Sequence, residues 1–225
     1  MRSLDCLAVI PDGNRRYAKK RGLPYPEAYA CGFAKSAEVL EWCREAGVKD
    51  VIFWALSLDN YSKREQTELA LIYSLFKSKL EEALSDGRLG EARVRFFGRL
   101  ELLPKDLQDL MKRIEERTRN NKGIGVHFAV AYSGRDEILE ACRRYAAEGK
   151  AGKLDESAFR KYLYSPLYPD LVIRTGSTHR LSGFMPWQSD YSEIFVSDAL
   201  WPEFSRGDFD AAVAFFKETE ARRGR

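Results

Sequence analysis

The stretch from Cys6 to Gly22, CLAVIPDGNRRYAKKRG, decides how this chain folds. Its first five residues form a short apolar run, Pro11 ends it, and a basic, helix-prone segment follows Gly13. Strand, loop and helix in that order open an α/β unit. The loop also carries chemistry. Gly13 lets backbone approach a ligand and tolerates positive φ. Asn14 is placed to cap the following helix, whose free N–H groups attract anions. Arg15 and Arg16 supply planar, permanently charged donors suited to phosphate oxygens. Asp12 is the odd member, and a carboxylate at the mouth of a phosphate cradle makes sense with Mg²⁺ between the two. These residues read either as a site for a diphosphate and Mg²⁺ or as a Pro-Asp-Gly turn before a solvated basic helix. The G-x-x-x-x-G-K-[ST] and G-x-G-x-x-G phosphate loops are both absent here.

Working outward, apolar β-rich runs at 51–56, 94–97, 126–131, 171–174 and 194–196 join the first at 6–10. They alternate with helical patterns at 31–46, 64–84, 107–120, 136–147, 156–162 and 208–222. This predicts a single α/β domain over residues 1–225, with a central, mainly parallel six-stranded sheet surrounded by helices. In the helix at 64–84, Leu69, Ile72, Phe76, Leu80 and Ala83 form one apolar stripe, widened by Leu71, Leu75 and Leu84. That face packs on a sheet or lines a greasy channel, and the pattern fits both. Three runs end in polar groups: Ser57 to Tyr61, Tyr132 to Arg135, and Thr175 to Ser177. In a parallel sheet ligands bind beyond the carboxyl ends of the strands, so these tips and Asp12 to Arg16 gather at one edge.

The chain-wide balance narrows the function. The 225 residues are 44% hydrophobic and 32% charged, with a net charge of +3 and both signs interspersed. That is a soluble globular composition and argues against a dedicated nucleic-acid binder. No apolar run approaches the ~20 residues that span a bilayer, and the N-terminus does not read as a signal peptide. Cys6, Cys31, Cys43 and Cys142 are scattered without C-x-x-C spacing, which disfavours zinc and suits reduced thiols in a cytoplasmic protein.

A second constellation lies at 170–204, DLVIRTGSTHRLSGFMPWQSDYSEIFVSDALWPEF. Arg174, Arg180 and Ser182 around a Gly-Ser-Thr loop suit another anionic group. His179 reads as a solvated loop residue. Glu193 is a surface strand residue or a second metal ligand. Trp187, Tyr191, Phe195, Trp201 and Phe204 mark packing or a subunit interface.

PDGNRRYAKKRG, ALSLDNYS, AYSGRDEI and the 170–204 segment, taken in order, resemble the motifs of the cis-prenyltransferases, the family of undecaprenyl and dehydrodolichyl diphosphate synthases. The resemblance runs from Leu7 to about Phe216. It implies a hydrophobic tunnel, usually in a homodimer, and Mg²⁺-assisted ionisation of an allylic prenyl diphosphate followed by condensation with isopentenyl diphosphate in cis geometry. By resemblance, Asp12, Gly13, Asn14, Arg15, Arg16 and Tyr17 meet the allylic diphosphate, with Asp12 assisting Mg²⁺ delivery and diphosphate departure. Ser57, Leu58, Asp59, Asn60 and Tyr61 match the Ser-x-Glu-Asn-Trp segment, with Asn60 linked to proton removal and Lys63 a matching basic residue. Arg174, Arg180, Leu181 and Ser182 match the isopentenyl diphosphate site, and Glu193 a metal-contacting glutamate near the dimer interface. Release of a greasy product implies transient, peripheral membrane contact for a cytoplasmic enzyme.

Departures from the family pattern collect around proton handling and the second substrate. Tyr29 stands where many relatives have His, Tyr25 where a basic residue is usual, and Leu58 where a second serine is common. Thr178 replaces Glu, Ala131 replaces Asn, and Pro186 interrupts an apolar pair. Two alternatives therefore stand beside ordinary elongation. One is irregular, lavandulyl-type coupling of two allylic diphosphates such as dimethylallyl and geranylgeranyl diphosphate. The other is a non-catalytic partner subunit, against which Asp12, Arg15 and Arg16 weigh.

Overall fold

A computed structural model describes residues 2–85, 87, 89–149 and 154–219. Six strands, β1 (Cys6–Ile10), β2 (Asp50–Trp54), β3 (Arg93–Phe97), β4 (Gly125–Ala129), β5 (Leu171–Arg174) and β6 (Glu193–Val196), form one sheet in the order β3-β4-β2-β1-β5-β6. Every pairing is parallel. All six predicted strands are present. β2 and β4 stop two residues before their apolar runs do, for a local reason. The N–H groups of Ala55 and Leu56 both turn to the Ala129 carbonyl, and Ala131 takes φ 47°, which no extended strand accommodates.

The helices are α1 (Asn14–Arg21), α2 (Tyr25–Glu45), α3 (Leu58–Lys63), α4 (Gln66–Ser85), α5 (Lys105–Thr118), α6 (Gly134–Ala147), α7 (Glu156–Arg160) and α8 (Arg206–Glu218). α2 starts six residues before the predicted 31. Pro24 stands at its cap and Pro26 in its first turn, where a missing N–H costs nothing. α3 was not predicted; Ser57 caps it by accepting the Asn60 N–H at 3.0 Å. α8 opens on a reciprocal capping box between Ser205 and Asp208. The predicted last residues of that helix, 220–222, lie outside the described residues.

Alternate strand residues face opposite layers, and both layers are dry. Leu7, Val9, Val51, Phe53, Leu171 and Ile173 meet α2, α4, α5 and α8 in the larger core. Ala8, Ile10, Ile52 and Val172 meet Tyr132, Phe184 and Met185 on the other side. Trp201 and Phe204, from a 3₁₀ turn at Trp201–Glu203 and its cap, stack at 5.9 Å between centroids inside the larger core. They are packing residues. Phe195 lies against Phe215 at the outer edge, and Tyr191 is exposed. The apolar stripe of α4 divides: Leu69, Phe76 and Leu80 join the core, while Ile72, Leu71 and Leu75 pack outside its contact cluster. No helix among the described residues is long and apolar enough to cross a membrane.

Candidate active site

β1 lies between β2 and β5, with Ile10 opposite Arg174. The loop after β1 and the loop after β5 therefore leave the sheet side by side. Asp12 joins them. Its carboxylate accepts from Arg16 Nη2 at 3.1 Å and from Arg174 Nη2 at 2.9 Å. Its carbonyl accepts from Thr175 Oγ1 at 2.7 Å and from the Trp201 N–H at 3.0 Å. One residue is thus held by three separate segments, yet its carboxylate stays one-third exposed. Arg16 also donates to the Gly176 carbonyl at 2.8 Å. Arg174 is almost wholly buried and reaches the Arg180 carbonyl at 2.5 Å and Ser182 Oγ at 2.8 Å.

The backbone explains the small residues. Gly13 sits at φ 119° as the residue before α1, and a Cβ there would lie 3.0 Å from Leu200. Asn14 is the first residue of α1 and not its cap, which corrects the sequence expectation; Gly13 takes that position without a side-chain bond. With no capping side chain, the first-turn N–H groups of α1 are left for a ligand. The buried Asn14 Oδ1 lacks a hydrogen-bond partner. Gly176 has φ 80°, and its missing Cβ makes room for Arg16, whose Nη2 would otherwise be 2.2 Å away. Ser177, Ser182 and Met185 also adopt positive φ. Such strain in ordinary residues gathers where a loop is held for function.

The other site residues occupy the same rim in different ways. Ser57, after β2, makes an isolated parallel bridge to Tyr132, after β4. Leu58 and Tyr61 turn into the larger core, whereas Asn60 is exposed. Asp59 and Lys63 pair at 2.9 Å with both side chains three-quarters exposed. Tyr17 is half-buried beneath the Arg21 guanidinium, and Leu181 packs on the smaller core. His179 and Arg180 are exposed, the former as expected. Tyr29 is buried and donates to Glu68 Oε1 at 2.6 Å, while Tyr25 lies edge-on to it. Burial, then the bond to Glu68, raises the Tyr29 pKa, with Arg64 and Arg15 pulling the other way.

Glu193 is placed apart from this group. It opens β6 opposite Leu171, at the amino end of the sheet, and pairs with Arg2 at 2.9 Å. Among the described residues no group of three or more His, Cys, Asp or Glu side chains could hold a metal. A single partly exposed carboxylate such as Asp12 still suits Mg²⁺, which commonly takes one or two carboxylates and completes its shell with substrate phosphates and water. Thr175 and Gly176, which hold Asp12 and Arg16 respectively, and Trp201, which holds Asp12, were not expected from the sequence to make these contacts. The Arg-Thr-Gly turn was the available signal for the first two; Trp201 had none, because its part is a backbone N–H.

A family model described as undecaprenyl diphosphate synthase matches residues 10–224. A tritrans,polycis-undecaprenyl-diphosphate synthase (geranylgeranyl-diphosphate specific) from Thermoplasma volcanium is 40% identical over 97% of this chain and 88% of its own. An isoprenyl transferase from Thermus thermophilus is 39% identical with the same coverage. Among solved structures, lavandulyl diphosphate synthase from Lavandula x intermedia, in complex with dimethylallyl diphosphate, superposes with a TM-score of 0.91 at 29% identity over 99% of both chains. A probable undecaprenyl diphosphate synthase from Campylobacter jejuni gives 0.85 at 30% identity over both full chains. The parallel sheet and the paired Asp-Gly-Asn-Arg-Arg and Arg-Thr-Gly loops at its rim define an α/β prenyltransferase. Within that class, the chain belongs to the undecaprenyl diphosphate synthase family.

Proposed function

We propose that this chain ionises an allylic prenyl diphosphate with Mg²⁺ and condenses it with isopentenyl diphosphate in cis geometry, giving a polyprenyl diphosphate. The observation that carries the reading is Asp12, shared between Arg16 of the first loop and Arg174 of the second. Two sets of fixed cations thereby face one carboxylate, as two diphosphates reacting across a short gap require. The first loop takes the allylic diphosphate on the α1 N–H groups, Arg15 and Arg16. As the carbon–oxygen bond breaks, negative charge grows on that diphosphate where preorganised donors already point. Asp12, together with phosphate oxygens of the substrate, would hold Mg²⁺, which when bound would supply further charge neutralisation there. Arg174 fixes the second loop so that Arg180 and Ser182 present the isopentenyl diphosphate, and Asn60 lies on the rim for the proton that leaves. The growing chain lies along Leu71, Ile72 and Leu75 of α4, away from water that would quench the cation.

Irregular coupling of two allylic diphosphates is the second reading. The lavandulyl diphosphate synthase superposition supports it, as do Leu58 turned inward and Thr178 in the second-substrate loop. The deciding experiment supplies geranylgeranyl diphosphate and Mg²⁺ with labelled isopentenyl or labelled dimethylallyl diphosphate in separate reactions, and identifies dephosphorylated products by mass spectrometry and NMR. Isopentenyl units added in cis support elongation; a branched dimethylallyl product replaces it with irregular coupling; no label in product leaves a partner subunit. The same reading places the enzyme in the cytoplasm as a homodimer, with membrane contact only to release product.

A further inference from the structure

After β6 the chain crosses back along both diphosphate loops, and the residue matches to the family give this crossing no part. The Ser177 N–H donates to the Ser197 carbonyl at 3.0 Å and the Gly176 N–H to the Ala199 carbonyl at 2.8 Å. The Trp201 N–H donates to the Asp12 carbonyl at 3.0 Å, and Leu200 lies against the space that Gly13 leaves by lacking a Cβ. Glu203 then accepts from Lys20 at 2.9 Å and from Arg21 at 3.0 Å, at the far end of α1. Both loops therefore rest on one short segment, residues 197–203.

That segment is itself anchored to α2. Trp201 is 1% exposed, and its indole N–H donates to the Gly32 carbonyl at 2.8 Å. The approach is close because residue 32 has no side chain. A Cβ there would lie 2.3 Å from Asn14 Oδ1 and 3.2 Å from Trp201 Cδ1. The start of α1, the body of α2 and the 3₁₀ turn thus meet at Gly32. Packing accounts for the indole ring, which has Phe204 stacked on it and Phe53 edge-on at 6.5 Å. A plain aromatic ring would fill that space as well. The N–H is what packing does not require. It fixes how the ring is turned, and so where the Trp201 backbone stands under Asp12.

We propose that Trp201 is a positioning residue for the first diphosphate loop. Its indole N–H, held by α2, sets the backbone on which Asp12 and Gly13 rest, and through them the aim of the Asp12 carboxylate and of the first N–H groups of α1. The inference rests on the prenyl diphosphate reading above.

Trp201→Phe keeps an aromatic ring in the core and removes the donor. It should raise the KM for geranylgeranyl diphosphate about fivefold, the scale of one buried hydrogen bond, lower kcat, and leave the KM for isopentenyl diphosphate unmoved. Gly32→Ala presses on the same junction from α2 with a better helix former, so it should move the same KM in the same direction without weakening the helix. Calorimetry with the thiolo analogue of geranylgeranyl diphosphate, whose carbon–sulfur bond resists ionisation, should show the same weakening without turnover. Trp42→Phe is the control. Trp42 packs on Phe204 and Phe209 in the same core, so its loss should lower Tm and leave both KM values and analogue binding at the parent level. If Trp201→Phe behaves like Trp42→Phe, Trp201 only packs and the proposal is overturned. Equal rises in both KM values overturn it too, because the anchor would then not be particular to the first loop. If the unmodified protein neither binds the analogue nor consumes prenyl diphosphates, the proposed function itself falls, and this inference with it.

Discussion

Asp12 holds two guanidinium groups through one carboxylate, and that double duty shapes what its replacement should do. Asp12→Ala removes the anion that balances the buried Arg174, so it disturbs both catalysis and packing. Asp12→Asn keeps one of the two acceptor oxygens, sets an NH2 group against the other guanidinium, and removes the charge. Turnover should fall at least about 100-fold in either variant, as when one electrostatic stabiliser of a transition state is lost. Both variants should unfold below the parent temperature, because each leaves the buried Arg174 without its counter-charge, with Asp12→Ala the lower of the two. Steady-state kinetics beside thermal denaturation checks both, and near-normal turnover in Asp12→Asn would remove Asp12 from the chemistry. Ala131 stands at φ 47°, a left-handed conformation in which Asn is more at ease.

Among the elements, α4 is the one whose two faces separate packing from substrate. Leu69 belongs to the main core at 1% exposure, so Leu69→Trp should overpack it and cost about 1–3 kcal/mol. Leu75 is half-buried outside that cluster, so Leu75→Trp should leave stability nearly unchanged and shorten the polyprenyl product. Chromatography of dephosphorylated products checks the length, and unchanged length would mean the chain runs elsewhere. The strands were legible in the sequence because both faces of a parallel sheet are dry, which writes each as an unbroken apolar run. α3 was not, since six residues between Ser57 and Arg64 are too few to show a helical period. The early start of α2 was signalled by Pro24 and Pro26, a helix-opening pair that reads equally well as a turn. Of the site, the charged loops were legible as motifs. The link from Asp12 to Arg174 was not, because 162 residues separate the partners and only strand order brings them together.

For the whole molecule, two carboxyl groups, the partly buried Asp50 and the buried Glu137, set opposite pH responses. Asp50 accepts from or shares a proton with His127 Nε2 at 2.7 Å, and this bond chiefly holds its pKa below 3.8, with Arg93 adding to it and burial opposing. A depressed carboxyl pKa contributes stability above the unfolded value that is lost as pH falls through the folded one. Asp50→Asn should therefore be less stable at neutral pH and show a flatter loss of stability below pH 3.8, read by denaturant unfolding across pH. Glu137 works in the reverse sense. Burial raises its pKa above 4.5, although Tyr132, Gln188 and the N–H groups of Ser165 and Tyr164 oppose the shift. Its contribution declines as pH rises through the raised pKa. At the outer edge of the sheet, β6 presents Ile194 to solvent. An apolar edge strand invites a partner, and in the proposed homodimer Ile194→Asp should shift the protein to monomer in size-exclusion chromatography with light scattering. An unchanged mass would place the contact on another surface.

β1, the first strand made, occupies the middle of the sheet, and its far neighbour β5 starts 161 residues after Ile10. On a ribosome adding roughly 5–20 residues per second, the first loop emerges many seconds before Arg174 and Trp201 exist to hold Asp12. The proposed site is thus incomplete throughout its own synthesis. A nascent chain that ends between the first loop and Arg174 has the Asp-Gly-Asn-Arg-Arg sequence without its second loop, so under the proposed function incomplete products of translation should be inert toward prenyl diphosphates.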